Sequence, residues 1–131
     1  HAIHYQVANV LAAPFRAESF GAITAISVIE HGFQSKRLLP EIARLLRPGG
    51  YFIASFDYWT PKIDTPGIEI FGMDWKIFSA EDVSVFLDQA SGCALKPVGT
   101  VNLHAGAPTM EWAGKQYTFA WLVVQKATRP G

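Results

Sequence analysis

Glu30 and His31 are the residues of this chain whose types and position best suit proton chemistry. They follow directly on Ala22–Ile29, a nearly continuous apolar run rich in β-branched residues. Such a run predicts a strand buried on both faces of a parallel sheet. Open α/β sheets bind ligands beyond the carboxyl ends of their strands. A carboxylate and an imidazole placed there can hold a substrate or move a proton near neutrality. The alternative is a solvated strand end. Asp57, Tyr58 and Trp59 close the next predicted strand on the same rim. They open a stretch reaching Phe78 that carries Pro61, Pro66, Gly67 and Gly72 among Phe71 and Trp75. A connection of that length is functional or holds short irregular structure. As a lid, its aromatic side chains would close over an acceptor and exclude water. The plainer reading, favoured in so short a chain, is a satellite hydrophobic cluster beneath a long loop.

The remaining candidates read as structural. His1 and His4 have a three-residue spacing, but at a chain terminus that is incidental. His104 is isolated, no Cys/His/carboxylate set has zinc-like spacing, and no serine sits in a nucleophile elbow. No metal is therefore expected. Cys93, the single cysteine, lies between Gly92 and Ala94 without an activating cation. It reads as a small buried or half-buried thiol, excludes an intramolecular disulfide framework and fits a reducing cytoplasm. Trp112 and Trp121 read as core or sheet-face packing.

A length of 131 residues suits one domain, 1–131, and the 50% hydrophobic, 17% charged composition supports a sizeable core. Lys plus Arg and Asp plus Glu number 11 each. That balance argues against nucleic acid as a partner, which calls for surplus cations, and for self-association. No apolar run approaches the ~20 residues of a membrane span, and the first residues, His1 to Gln6, do not have the form of a signal peptide. The chain enters its first strand-like segment, Ile3–Val10, abruptly.

The elements that must position Glu30 and Asp57 follow from periodicity. Leu38, Leu39, Ile42, Leu45 and Leu46 share one helical stripe. Pro40 is expected in the first turn, Arg44 and Arg47 near the C-terminus, and Arg47-Pro48-Gly49-Gly50 as the stop. Tyr51–Phe56 is a second buried strand, which completes a right-handed βαβ unit. Ser79-Ala80-Glu81-Asp82 caps a helix whose buried stripe is Val83, Phe86, Leu87 and Ala90, closed by Gly92. Leu95–Leu103, interrupted by Pro97 and Gly99, is an expected edge strand. His104–Gly114 reads as a loop, and Tyr117–Gln125 as a last strand pairing antiparallel with 95–103.

Several strings in this order resemble the second half of class I S-adenosylmethionine-dependent methyltransferases (type 11-like). Val7-Ala8-Asn9-Val10, Ala13-Pro14-Phe15 and Glu18-Ser19-Phe20 resemble the acidic loop and "LPF…SFD" segment of that family. Ile26-Ser27-Val28-Ile29-Glu30-His31 resembles its fourth-strand "EH" motif, and Leu45-Leu46-Arg47-Pro48-Gly49-Gly50 its "LLRPGG". The match spans residues 7 to 56; beyond them only the pattern of elements agrees. The resemblance implies a truncated Rossmann-like open sheet, the fourth to seventh strands of that fold, with two or more flanking helices and a C-terminal antiparallel hairpin. It also implies S-adenosylmethionine as cofactor, with Asn9, Val10, Ser27, Val28 and His31 on the cofactor side. Glu30, Tyr58, Trp59 and Trp75 then fall on the substrate side.

The chain departs from the family where the cofactor is held. The family cradles the methionine end with a glycine-rich turn after its first strand, and no G-x-G-x-x-G occurs here. Asn9 stands where the family usually has an aspartate, and Gly21 replaces the aspartate of "SFD". The expectation is therefore an N-terminally truncated domain, incompetent as a methyltransferase alone or possessing no cofactor, that requires a missing N-terminal half or survives as a self-associating or partner-binding module. The family's fourth strand lies between its first and fifth. Residues 22 to 29 would thus expose an edge, to be filled by Tyr5–Val10 folding back or by a second chain in a homo-oligomer.

Overall fold

The computed structural model describes residues 2–129. Strand β1 (Phe20–Ile26) runs parallel to β2 (Leu46–Tyr58), and helix α1 (Ser35–Leu45) makes the crossover between them. Two short strands, β3 (Glu69–Ile70) and β4 (Met73–Asp74), form a separate hairpin, and α2 (Ala80–Gly92) follows. The chain ends with β5 (Leu95–Pro97), β6 (Met110–Trp112) and β7 (Lys115–Lys126). The main sheet has the order β1-β2-β7-β5, with β7 antiparallel to both its neighbours and β6 folded back on its start. The expected open α/β sheet with a βαβ unit and a C-terminal hairpin is thus present.

Both helices cover one face of the sheet. Leu38, Leu39 and Ile42 of α1 and Val83, Phe86 and Ala90 of α2 pack on Phe52, Ala54 and Phe56 of β2 and Ala120, Leu122 and Val124 of β7. The α2 start is fixed by a complete capping box, in which the Ser79 hydroxyl accepts from the Asp82 N–H and the Asp82 carboxylate accepts from the Ser79 N–H.

The opposite face is open. Registers Ile26↔Ser55 and Ser55↔Trp121 place three side chains in a row across β1, β2 and β7 on that face. Ile26 is 61% and Trp121 64% exposed. Strand β1 is therefore not buried on both faces as its apolar run predicts, and Trp112 and Trp121 lie in solvent rather than in packing. Hydrophobicity records that a surface is to be covered, but not by what.

Residues 2–9 also differ from expectation. They form no strand and lie exposed, Tyr5 and Val7 among them, so they do not fold back beside β1. Among the described residues β1 pairs only with β2.

Three local differences have simple causes. Helix α1 begins earlier than its apolar stripe, at Ser35, so Pro40 falls inside it rather than in the first turn. The carbonyl deprived of a donor belongs to Lys36, an exposed residue open to water. Pro48-Gly49-Gly50 does not follow the helix as a free loop. It forms an irregularity within β2, where the pairing jumps from Phe20↔Leu46 to Ala22↔Tyr51. A Cβ on Gly50 would lie 2.9 Å from the Arg47 carbonyl and 3.0 Å from that of Gly21, so only glycine permits the two backbones to meet. Strand β5 stops at Pro97, far short of Leu103, because proline ends the ladder and Gly99 adopts φ +69°.

Candidate functional site

Beyond β1 the chain turns through Ser27, whose left-handed φ of 54° lets its N–H donate to the Ser55 carbonyl at 3.1 Å. This turn sends Ile29 and Glu30 inward, and both are buried. The segment after β2 returns to meet them. The Phe78 N–H donates to the Asp57 carbonyl, the Trp59 N–H to the Phe78 carbonyl and the Lys76 N–H to the Glu30 carbonyl, each at 2.9 Å. The connection from Asp57 to Phe78 is therefore laced to both strand ends.

This lacing gathers the polar side chains. The indole N–H of Trp75 donates to Asp57 Oδ2 at 2.8 Å with both residues buried. His31 Nε2 lies 3.6 Å from Glu30 Oε1, beyond a hydrogen bond. Both carboxylate oxygens of Glu30 and Nδ1 of His31 are buried without a hydrogen-bond partner. Burial pushes the Glu30 carboxyl up to about 7, and the nearby Asp57 charge adds to the rise, against the opposing pull of the backbone N–H groups of Glu30 and Asp57, which lie near it without completing a well-formed hydrogen bond. Asp57 is also raised by burial, against the opposing pull of the Trp75 N–H and of His31.

Beside this cluster lies a cavity of about 330 Å³. Ile29, Phe33, Trp75, Phe78 and Phe86 give it an apolar wall, with Glu30, Asp74, Lys76 and Asp82 as its charged lining. Trp75 also belongs to a satellite cluster with Ile77 and Tyr117, against which Trp59, Ile63, Ile68 and Ile70 pack. Trp59 and Trp75 of the aromatic connection thus enter such a cluster, Phe71 stays outside it at 92% exposure, and Trp75 also walls the cavity.

Of the substrate-side candidates, Glu30 and Trp75 come together, while Trp59 is half-buried in the satellite cluster. Tyr58 is a correction. It is 1% exposed in the main core, and its hydroxyl donates to the Leu103 carbonyl at 2.7 Å. Successive strand residues face opposite sides of a sheet, so Asp57 and Tyr58, both at the end of β2, point to different faces. Asp57 is the member of that pair brought to Glu30 and His31, and the period-two alternation of β2 was the signal that could have separated them. Of the cofactor-side candidates, Asn9 is exposed with its Oδ1 accepting from the Leu11 N–H at 2.9 Å. Val10 and Val28 border a small apolar cavity of about 100 Å³ with Ile23 and Phe33. Ser27 is exposed at its turn and His31 half-buried beside Glu30. Among the described residues no group of three or more His, Cys, Asp or Glu could hold a metal ion.

Residues 1–54 match the family model described as a methyltransferase domain. An S-adenosylmethionine-dependent methyltransferase from Methanosarcina mazei superposes with a TM-score of 0.66 at 14% identity, over 95% of this chain and 67% of that one. The fold is class I methyltransferase-like. Geranyl diphosphate C-methyltransferase from Streptomyces coelicolor gives 0.65 at 17% identity, over 93% of this chain and 52% of the other. The [4+2]-cyclase SpnF gives 0.64 at 13%, over 94% and 55%. This methyltransferase-like chain thus spans 52% to 67% of the length of these three structures. No curated relative matches it. No described helix is long and apolar enough to cross a membrane.

Within that fold the fit to an adenosyl cofactor can be judged from the residues present. Val10 and Val28 offer an apolar wall, but the Asn9 side chain is turned onto its own loop. No glycine-rich turn follows a first strand. Among the described residues, the candidates thus supply one apolar wall and no polar side chain aimed into it.

Proposed function

We propose that this chain is the acceptor side of an S-adenosylmethionine-dependent methyltransferase-like domain, and that it does not hold the cofactor by itself. The observation that carries this reading is the juxtaposition of a built cavity at the strand ends with the open far face and open β1 edge of the same sheet. Glu30, Trp59 and Trp75 are assigned to the acceptor side with His31 and Asp57 beside them. Val10 and Val28 are one wall of a cofactor site, with Ser27 at the adjoining turn and Asn9 reaching it only by releasing the Leu11 N–H, and the methionine-binding side comes from a complementary half, within a longer protein or from a partner. The single thiol fits a cytoplasmic setting.

A second reading has its own support. Ile26, Phe119 and Trp121 leave a broad apolar face uncovered, which favours a self-associating module, a homo-oligomer through that face or the β1 edge. Calorimetric titration with S-adenosylmethionine and its demethylated product separates the cases. The proposal expects no heat at millimolar ligand from the chain alone, and binding once a complementary half is supplied. Low-micromolar affinity of the lone chain would contradict it, and a complemented chain that still binds neither ligand would leave only the self-associating module.

A further inference from the structure

Glu30 is 1% exposed, has no partner for either carboxylate oxygen, and lies in the lining of the 330 Å³ cavity. A carboxyl buried this way loses its hydration when ionised, and an ammonium placed in the cavity would offset that loss. His31 Nε2 stands 3.6 Å from Glu30 Oε1, too far to donate, and the neighbouring lysines are engaged elsewhere. Lys62 Nζ donates to Asp82 Oδ2 at 2.8 Å and to the Ile77 carbonyl at 2.6 Å. Lys76 Nζ lies 3.4 Å from Asp82 Oδ1 and 4.7 Å above the centroid of the Phe78 ring. No arginine lines the cavity. With Asp82 already paired, Glu30 and Asp74 leave the lining with an excess of negative charge facing an aromatic wall.

We propose that this cavity binds a cationic amine carrying an apolar or aromatic body, with the ammonium directed to Glu30 and the body against Phe33, Trp75 and Phe78. The inference deepens the reading of this rim as an acceptor side and rests on it. An ammonium supplies donors to oxygens that have none and also cancels a buried charge; its body suits a wall that offers little to a polar ligand. An anionic ligand meets Glu30 and Asp74 instead, and a neutral alcohol leaves the charge uncompensated.

The ionisable groups facing Glu30 are His31, Asp57 and Tyr117, with Lys76, Asp74 and Asp82 around the cavity. Because the free carboxyl is held up to about 7, an ammonium that binds its ionised form binds about tenfold more tightly at pH 8 than at pH 6. A hydroxyl ligand accepted by the protonated carboxyl would show the opposite trend.

The test is a nitrogen-15 NMR titration of the chain with benzylammonium, benzyl alcohol and phenylacetate. The expected result is saturable movement of the Trp75 indole and of the Phe33 and Lys76 amides with benzylammonium, at least tenfold weaker binding of the alcohol, and none of the acid. Glu30→Gln should lose benzylammonium binding at least tenfold while the spectrum stays dispersed, and the wild-type pH trend supplies the same information should that variant not fold. Equal binding of the alcohol, tighter binding of phenylacetate, absence of saturation or a reversed pH trend would overturn the proposal. The titration needs no cofactor, so its failure is distinct from a failure of the calorimetric test above.

Discussion

The Trp75 indole N–H donates to Asp57 Oδ2 at 2.8 Å across 18 residues of chain, and it is the bond that fastens the far end of the aromatic connection to the end of β2. Both partners are buried, so the bond has no water to replace it. Trp75→Phe should therefore cost about 1–3 kcal/mol beyond the packing lost, by leaving the Asp57 carboxylate unpaired. The penalty should shrink on acidification, because protonation removes the charge that needs the donor, and Trp75→Phe/Asp57→Asn should recover part of it. Urea unfolding at two pH values measures both effects.

Asp82 has two tasks, closing the α2 capping box and receiving Lys62 and Lys76 from the connection. Burial alone would raise its carboxyl, but the Lys62 and Ser79 hydrogen bonds and the Lys76 charge outweigh that and lower it to about 2. The stability it contributes is therefore fully present above its ordinary value of 3.8 and is lost as pH falls through about 2. Asp82→Ala should cost about 1–2 kcal/mol at pH 7 and less at pH 2, as read by thermal unfolding across that range.

Glu30 has the reverse linkage. Its folded-state carboxyl is raised from 4.5 to about 7, so its ionisation removes stability as pH rises from 4.5 through 7. Glu30→Gln should accordingly be more stable than wild type at pH 8 and differ little at pH 4, with a gap at the high end on the order of 1–3 kcal/mol. Stability gained where a ligand site is lost is the trade expected of a functional residue. Guanidinium unfolding of the two proteins at pH 4 and pH 8 checks the sign.

Phe119 and Trp121 lie on the open face of β7, 47% and 64% exposed. Replacing both with threonine removes little packing and retains strand propensity, so stability should change by under about 1 kcal/mol. Any self-association should weaken at least severalfold in sedimentation velocity over a concentration series. Unchanged association would move the contact to the β1 edge.

Much of this arrangement was legible in the sequence. Ser79 and Asp82 announce the α2 start because a capping box is local chemistry, and Val83, Phe86 and Ala90 announce its buried face because helical period fixes direction. The βαβ unit follows from two apolar runs about a leucine stripe. Glu30 and His31 were legible as strand-end groups, and the structure adds that they sit beyond the Ser27 turn rather than on the strand. What failed to show was relational. Apolar runs in β1 and β7 say nothing of which face is covered, so Ile26 and Trp121 read as buried. Proximity in sequence places Tyr58 with Asp57, although alternation along β2 sends one into the core and the other to the cluster. Pro40 entered the helix interior because the start of α1 depends on residues before its stripe.

The state of the Glu30 carboxyl tests the central claim most directly, since a buried carboxylate without a partner is what makes this strand-end cavity a binding site. Carbon-13 NMR of the side-chain carboxyl, titrated in the unliganded chain, should give a midpoint near the elevated value of about 7. A midpoint at the ordinary 4.5 would mean that the group is solvated or already paired, and would contradict the account.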